Sequence, residues 1–186
     1  MPPNLPIPNL FARRSIRQYA PGEVTDAQIT TLLKAAMAAA NAGNRQPWHY
    51  IVVREAAMRK RIAEKHPYAG MAAQAAVVII PCGEPGASFP NMNDFWIQDL
   101  AASTQNLLLA ATGLGLGAVW CGVHPNAERV QAIRELLGIP EHIVPFCVVC
   151  IGQPGEQKVI RGHPREKADP RSQADNSCDP SHGQVV

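Results

Sequence analysis

The sequence predicts one domain that mixes helices with a sheet of about four strands, either α/β or α+β. Three observations lead to this prediction. The chain has 186 residues, about the length of a single domain. Hydrophobic residues make up 46% of it, which is enough to build a core. Segments with helical and strand-like patterns also alternate, from a helix after Thr25 to a strand that ends at Ile151.

The first half of the chain predicts a proline-rich arm, a short helical turn, two longer helices and two strands. Residues 1–10 carry four prolines and predict an extended arm, and the turn follows at 9–14. Thr25 caps the clearest helix, because Gln28 completes a capping box. The apolar residues of that helix share one face: Ile29, Leu32, Leu33, Ala36, Met37 and Ala40. The segment 41–44 ends it, and the following elements are a strand at 50–53, a helix at 56–66 and a buried strand at 76–80, stopped by Pro81.

The second half predicts a long helix, two strands, a shorter helix and a tail. Residues 94–112 are almost uncharged after Asp99, which is typical of a helix buried centrally or against a partner subunit. Glycines at 113, 115 and 117 end it. A strand at 118–123, a helix at 126–137 and a strand at 146–151 follow, the helix lying between Asn126 and Gly138. Beyond Gly152 no helix or strand is predicted.

Composition excludes several classes of protein. The net charge of +2 is too small for a general nucleic-acid binder. No run of 18 apolar residues predicts a membrane span, and the N-terminus is too rich in proline for a signal peptide. Five cysteines, an odd and scattered set, do not predict a disulfide framework. These features predict a soluble cytoplasmic protein.

One glycine motif and one cysteine motif have structural explanations. The glycines at 113–117 follow a helix and precede a strand, which is the reverse of the order in a dinucleotide-binding fingerprint. Cys147 and Cys150 form a CxxC motif inside an apolar, strand-like segment. Side chains three apart on a strand point to opposite faces, so we expect two core cysteines and no metal. A thiol or metal site at this motif is the alternative.

Two polar segments are candidates for ligand binding. Arg13, Arg14, Ser15 and Arg17 could clamp a phosphate, or they could form an ordinary basic surface or a nucleic-acid contact. The amides of Asn44 and Gln46 can donate and accept hydrogen bonds together, which suits a heterocycle with carbonyl and imide edges. For the neighbouring Trp48 and His49, we favour a core residue and a structural histidine.

Taken together, four segments resemble the nitroreductase family of FMN-dependent oxidoreductases. They are RRSIRQY at 13–19, NAGNRQPWHYIVV at 41–53, FWIQDLAASTQNLLLAATGLGLGAVWCGV at 95–123 and LLGIPEHIVPFCVVCIGQPGE at 136–156. The resemblance covers roughly residues 9–160. It implies an α+β fold whose central, mostly antiparallel sheet has about 4–5 strands flanked by helices. It also implies a homodimer with two FMN molecules at the subunit interface. Residues 1–186 would then form one domain, with its core at 9–160 and an extended tail at 161–186 that is disordered or lies on the partner.

The resemblance also assigns residues to FMN. The basic segment would hold the phosphate and ribityl chain through Arg13, Arg14, Ser15 and Arg17. Residues expected against the flavin are Asn41, Ala42, Asn44, Gln46, Trp120, Cys121 and Gly122. Asn41 stands where the family often has serine, so its amide would substitute for the hydroxyl. A basic residue after the last strand would complete the phosphate site, and Arg161 and Arg165 are the two candidates.

The activity that the resemblance implies is a ping-pong reaction. NAD(P)H would pass a hydride to the flavin, and a nitroaromatic, a quinone or a similar flat acceptor would then be reduced. Because the cofactor carries the redox chemistry, no catalytic side chain is assigned. A protein that binds or stores FMN without catalysis is the alternative on the same fold.

Overall fold

The computed structural model describes residues 8–92 and 94–159, and it confirms the α+β fold. One antiparallel sheet lies at the centre, with helices packed on both of its faces. Residues 1–7 of the predicted arm and the predicted tail at 161–186 lie outside the described residues. Residues 8–10 were predicted to belong to the extended arm, which is wrong, because the first helix begins at Pro8.

Helices form where the caps and apolar patterns predict them. In the described residues the α-helices are Pro8–Ala12 (α1), Asp26–Met37 (α2), Ala56–Lys65 (α3), Phe95–Gly113 (α4) and Ala127–Leu137 (α5). The predicted capping box is present, since Thr25 Oγ1 accepts from the Gln28 amide at 3.2 Å and Gln28 Oε1 accepts from the Thr25 amide at 2.9 Å. Gly138, at φ 64°, adopts the left-handed conformation that ends α5.

The sheet has four main strands and two short ones. Its strands are Tyr19–Ala20 (β1), Trp48–Val53 (β2), Val77–Gly83 (β3), Gly117–Gly122 (β4), Val144–Pro145 (β5) and Cys147–Pro154 (β6). The main strands lie in the order β2–β3–β6–β4, and every strand pair is antiparallel. The two-residue strands were not predicted, because they are too short to show an alternating pattern.

The prediction that Pro81 stops its strand is wrong, since β3 continues to Gly83. The ladder between β3 and β6 ends at Ile79, and the ladder between β3 and β5 begins at Cys82. Pro81 stays paired with Tyr50 of β2, and its missing N–H faces the other side of β3, where this gap leaves no ladder hydrogen bond to lose. Its carbonyl still accepts a hydrogen bond from the Phe146 amide, at 2.9 Å.

Two apolar layers cover the faces of the sheet. Helices α2 and α4 pack on one face, and α3 and α5 pack on the other. Cys147 belongs to the first layer and Cys150 to the second, so the predicted opposite orientation of the CxxC side chains is confirmed. Burial raises the pKa of the Cys147 thiol, and it raises the pKa of Cys82 to about 12.

Helix α4 is central, as its low charge predicts. It packs between α2 and the sheet and buries three polar residues, Asp99, Ser103 and Thr104. The apolar face predicted for the helix after Thr25 is wrong at its end, where Met37 and Ala40 are exposed. The backbone leaves the helix at Ala38, so that Ala39 turns inward instead. Within the described residues no helix is both long and apolar enough to cross a bilayer.

Candidate functional site

The basic segment, residues 13–17, runs along the free edge of β4. The Ile16 amide donates to the Ala118 carbonyl at 3.0 Å, and the Ile16 side chain is buried. Gly117 leaves room for that side chain, because a Cβ at this position would lie 2.7 Å from Ile16 Cγ2. The segment is therefore fixed at its centre, with an arginine on each side of the buried isoleucine.

The guanidinium groups of this segment carry positive charge that the described residues do not neutralise. Arg14 Nη1 donates to the carbonyls of Phe11 and Arg13, at 2.9 and 2.6 Å, and so closes the end of α1. Over residues 8–92 and 94–159, no carboxylate forms a salt bridge with Arg13, Arg14 or Arg17. Such a cluster suits a phosphate, which accepts several charge-assisted hydrogen bonds.

The chain that leaves β6 adds a lysine to the same place. Glu156 Oε1 accepts from the amides of Arg17 and Gln18, at 2.6 and 3.3 Å. Lys158 Nζ then donates to the Ser15 carbonyl at 2.7 Å. The amide donated by Arg17 and the nearby Lys158 lower the pKa of Glu156, so the carboxylate stays charged and ties the two segments together.

Lys158 is a site residue that the sequence analysis missed. Arg161 and Arg165, the two residues proposed for this role, lie outside the described residues. The signal for Lys158 was its position shortly after the last strand, but its contact with Ser15 joins residues 143 apart in sequence. Spacing alone could not predict that contact.

Three cavities border the basic segment, and the smallest, of about 340 Å³, is lined in part by Ala12, Arg14 and Ile16. The two larger cavities lie toward the two ends of the segment. Arg14 lines the first, of about 620 Å³, together with Gln157, Lys158 and Val159. Arg17 lines the second, of about 570 Å³. The other residues of the second cavity are Pro67, Tyr68, Gly70, Met71, Trp120, Cys121 and Gly122. Five predicted site residues thus line these two larger cavities.

The edge of β4 supplies backbone hydrogen-bond donors to the second cavity. Within the described part of the chain, β4 pairs with β6 on one side and only bridges Ser15 on the other. Ala118 directs its carbonyl to this second side, and alternate residues of a strand share their direction. Trp120 and Gly122 therefore direct their N–H groups to the edge that borders the cavity.

Cys121 connects the two walls of the second cavity. Its thiol donates to the Tyr68 carbonyl at 3.2 Å and lies 4.0 Å from Met71 Sδ. Interaction with the Cys150 thiol lowers the pKa of the Cys121 thiol, burial opposes this shift, and the charge of Arg17 adds to it.

The second predicted segment, residues 41–46, forms a strained loop before β2. Gly43, Asn44 and Gln46 have φ values of 57°, 52° and 49°, in the left-handed region that a glutamine rarely adopts. Asn41 Oδ1 accepts from the Gln46 amide at 3.0 Å and holds the turn. The side-chain amides of Asn44 and Gln46 are exposed and hydrogen-bond each other. Strain of this kind clusters at binding sites, and the exposed amides remain available to a ligand.

Asp99 of α4 anchors this loop from the core. Its carboxylate is buried, and Oδ1 accepts from the Ala42 amide at 2.9 Å. The other oxygen, Oδ2, has no hydrogen-bond partner among the described residues.

We expect Asp99→Ala to lower the free energy of unfolding by about 1–3 kcal/mol, because the partly buried Ala42 amide would lose its acceptor. Asp99→Asn keeps an acceptor oxygen, so its loss should be clearly smaller. Urea unfolding of the two variants measures the difference. Equal decreases in the free energy of unfolding would show that the hydrogen bond from the Ala42 amide to Asp99 contributes nothing to stability.

Within one chain, the loop at residues 41–46 and the basic segment lie far apart. The loop leads into β2 and the basic segment lies beside β4, so the two are at opposite edges of the sheet. Three strand spacings separate these edges, about 14 Å. Trp48 is buried in the core, as predicted. His49 is exposed, and its Nε2 lies 3.0 Å from Glu84 Oε2.

Comparison with known proteins gives consistent matches. The sequence profile of the Nitroreductase family matches residues 10–66 and 63–153. A provisionally named NADH dehydrogenase/NAD(P)H nitroreductase of Archaeoglobus fulgidus is 49% identical over 150 residues, which are 80% of this chain and 85% of the relative.

Two solved structures share the fold. An FMN-dependent nitroreductase of Clostridium difficile R20291 superposes with a TM-score of 0.77 at 25% identity, covering 91% of this chain and 98% of the other. A provisionally named nitroreductase of Desulfovibrio desulfuricans, solved in complex with FMN, superposes with a TM-score of 0.74 at 28% identity. That match covers 88% of this chain and 95% of the other.

Proposed function

This chain belongs to the nitroreductase family, and from that premise we propose that it is an NAD(P)H-dependent flavin oxidoreductase with FMN as its cofactor. One observation carries the proposal. A basic segment whose arginine side chains form no salt bridge with the described residues lies between two cavities, beside a strand edge with free N–H groups. This arrangement offers positive charge to a phosphate and backbone donors to a heterocycle.

The residues present fit FMN. In the proposal, Arg14 and Lys158 hold the phosphate at the first cavity, with Arg13 and Ser15 beside them. The flavin ring occupies the second cavity, where Arg17 and residues 120–122 line the wall. Arg161 or Arg165 would add further positive charge at the phosphate.

The cofactor, when bound, supplies the hydride acceptance and donation, and the chain supplies position and charge. The N–H groups of Trp120 and Gly122 are fixed donors for the ring. The guanidinium of Arg17 lines the second cavity and would stabilise negative charge on a reduced ring. No acid or base side chain is required for this task.

We propose that NADH or NADPH and the acceptor use the same open face of the site in turn, which is a ping-pong order. The exposed ring of Tyr68 at the rim of the second cavity supports flat substrates, because aromatic faces stack well on planar groups. Nitroaromatics and quinones are the acceptor classes with this shape.

We further propose that the site is shared between two copies of the chain. The loop at residues 41–46 (the amide loop) and the basic segment lie at opposite edges of one sheet. A partner's amide loop would therefore reach the basic segment across an interface. Exposed apolar side chains support such an interface: they are Leu10, Met37, Phe89 and Met92, each 41–51% exposed.

A complementation experiment tests the shared site. We expect Arg14→Ala and the double variant Asn44→Ala/Gln46→Ala each to bind FMN weakly as homodimers. A mixed dimer combines the intact basic segment of one copy with the intact loop of the other, so about a quarter of all sites should recover full affinity on random mixing. Mixed samples that bind no better than either variant would contradict the shared site.

A further inference from the structure

A buried histidine joins the two walls of the second cavity. Residues 67–71 form one wall and the end of β4 forms the other. His66 is 1% exposed and lies behind both walls. The Tyr68 amide lies 3.2 Å from His66 Nδ1, and the Gly122 carbonyl lies 2.9 Å from Nε2.

These contacts fix the tautomer of His66. A backbone N–H can only donate, so Nδ1 must be the acceptor and the ring proton must lie on Nε2. The Nε2–H group then donates to the Gly122 carbonyl. One neutral imidazole therefore makes both hydrogen bonds with a single arrangement of its proton.

Gly122 needs such a restraint. It is the last residue of β4, and a side chain there would meet open space, so packing does not hold its backbone. Its carbonyl accepts a second hydrogen bond from Arg129 Nη1 at 3.2 Å. The Arg129 guanidinium also lies over the Tyr68 ring, 5.0 Å from its centroid. His66 and Arg129 thus hold the same two residues, Gly122 and Tyr68, across the cavity.

We propose that His66 is a positioning residue, which sets the direction of the Gly122 N–H so that the cavity receives the flat ring of the flavin. The inference rests on the proposed function of this cavity and adds a residue outside the cavity wall. His66 acts through the backbone and does not touch the ring itself.

Two substitutions separate the two hydrogen bonds of His66. The amide oxygen of asparagine reaches the place of Nδ1, so His66→Asn keeps the acceptor for Tyr68 and loses the donor to Gly122. The terminal nitrogen of glutamine reaches the place of Nε2, so His66→Gln keeps the donor and loses the acceptor. Each variant loses one hydrogen bond, and we expect similar decreases in the urea midpoint.

Binding of the flavin ring distinguishes positioning from a purely structural role. We expect His66→Asn to weaken the binding of both FMN and lumiflavin by about tenfold, the worth of one net hydrogen bond. His66→Gln should stay within about threefold of the wild type, because it restores the donor to Gly122. Fluorescence titration of the full-length protein measures both affinities.

Arg14→Ala is the matched control, since it should weaken the binding of FMN and leave that of lumiflavin, which has no phosphate. Equal lumiflavin affinities for the asparagine and glutamine variants would overturn the positioning role while the wild type still binds FMN. A wild-type protein that binds neither FMN nor lumiflavin would overturn the proposed function itself, and this inference with it.

Discussion

Arg14→Ala is expected to weaken FMN binding by about 100-fold and to leave riboflavin binding within about twofold. Hydrogen bonds to charged groups are worth about 1.5–3 kcal/mol, which corresponds to a loss of affinity of about 10- to 150-fold. Arg14 lines the first cavity, and its guanidinium has no carboxylate partner among the described residues. Riboflavin lacks the phosphate, so it should not report the loss. Titration of the apoprotein with each flavin measures both effects.

Arg54→Ala provides the control for this change. Arg54 pairs with Asp26 on the surface and lies just after β2, at the edge of the sheet away from the basic segment. The same removal of charge there should leave the affinity for FMN unchanged. If Arg14→Ala bound FMN normally, or lost riboflavin as strongly as FMN, the phosphate would not lie at Arg14.

Gly83→Ala is expected to lower the free energy of unfolding by at least about 3 kcal/mol. A Cβ at this position would lie 2.1 Å from Trp96 Cε3 and 2.7 Å from Leu100 Cδ1. Both side chains are buried, so helix α4 as a whole would have to move away from the end of β3. Because α4 also carries Asp99, FMN affinity should fall with stability. Urea unfolding measures the loss.

Gly86→Ala is the matched control, three residues further along the chain. No atom outside its chain neighbours lies within 4 Å of a Cβ at this position. Its free energy of unfolding should stay within about 0.5 kcal/mol of the wild type. Two variants of equal stability would show that α4 does not press on Gly83 in solution.

Most of the fold could be predicted because its signals are local. The capping box at Thr25 gave the start of α2, and Asn126 and Gly138 gave the bounds of α5 to within a residue. The end of α2 was predicted beyond Ala40 but lies at Met37. The errors came from long-range effects. Pro81 fits inside β3 because its missing N–H faces the gap between the β3–β6 and β3–β5 ladders. The two-residue strands exist only through their partners.

The same distinction between local and long-range signals applies to the candidate site. The resemblance indicated the basic segment, the amide loop and residues 120–122, all of which lie in short continuous motifs. Lys158 and His66 were missed, because their roles depend on contacts with Ser15 and Gly122, 143 and 56 residues away in sequence. The separation of the loop from the basic segment also depends on strand order, which local patterns do not encode.

The most direct test of the proposed function is a visible absorption spectrum of the purified protein, reconstituted with FMN and recorded before and after anaerobic addition of NADH or NADPH. We predict oxidised flavin bands that bleach without any acceptor present, since a ping-pong order requires reduction to occur alone. Bands that persist with both nucleotides would indicate a protein that binds FMN without this activity. A protein that takes up no FMN would contradict the proposal that this chain is a flavin oxidoreductase.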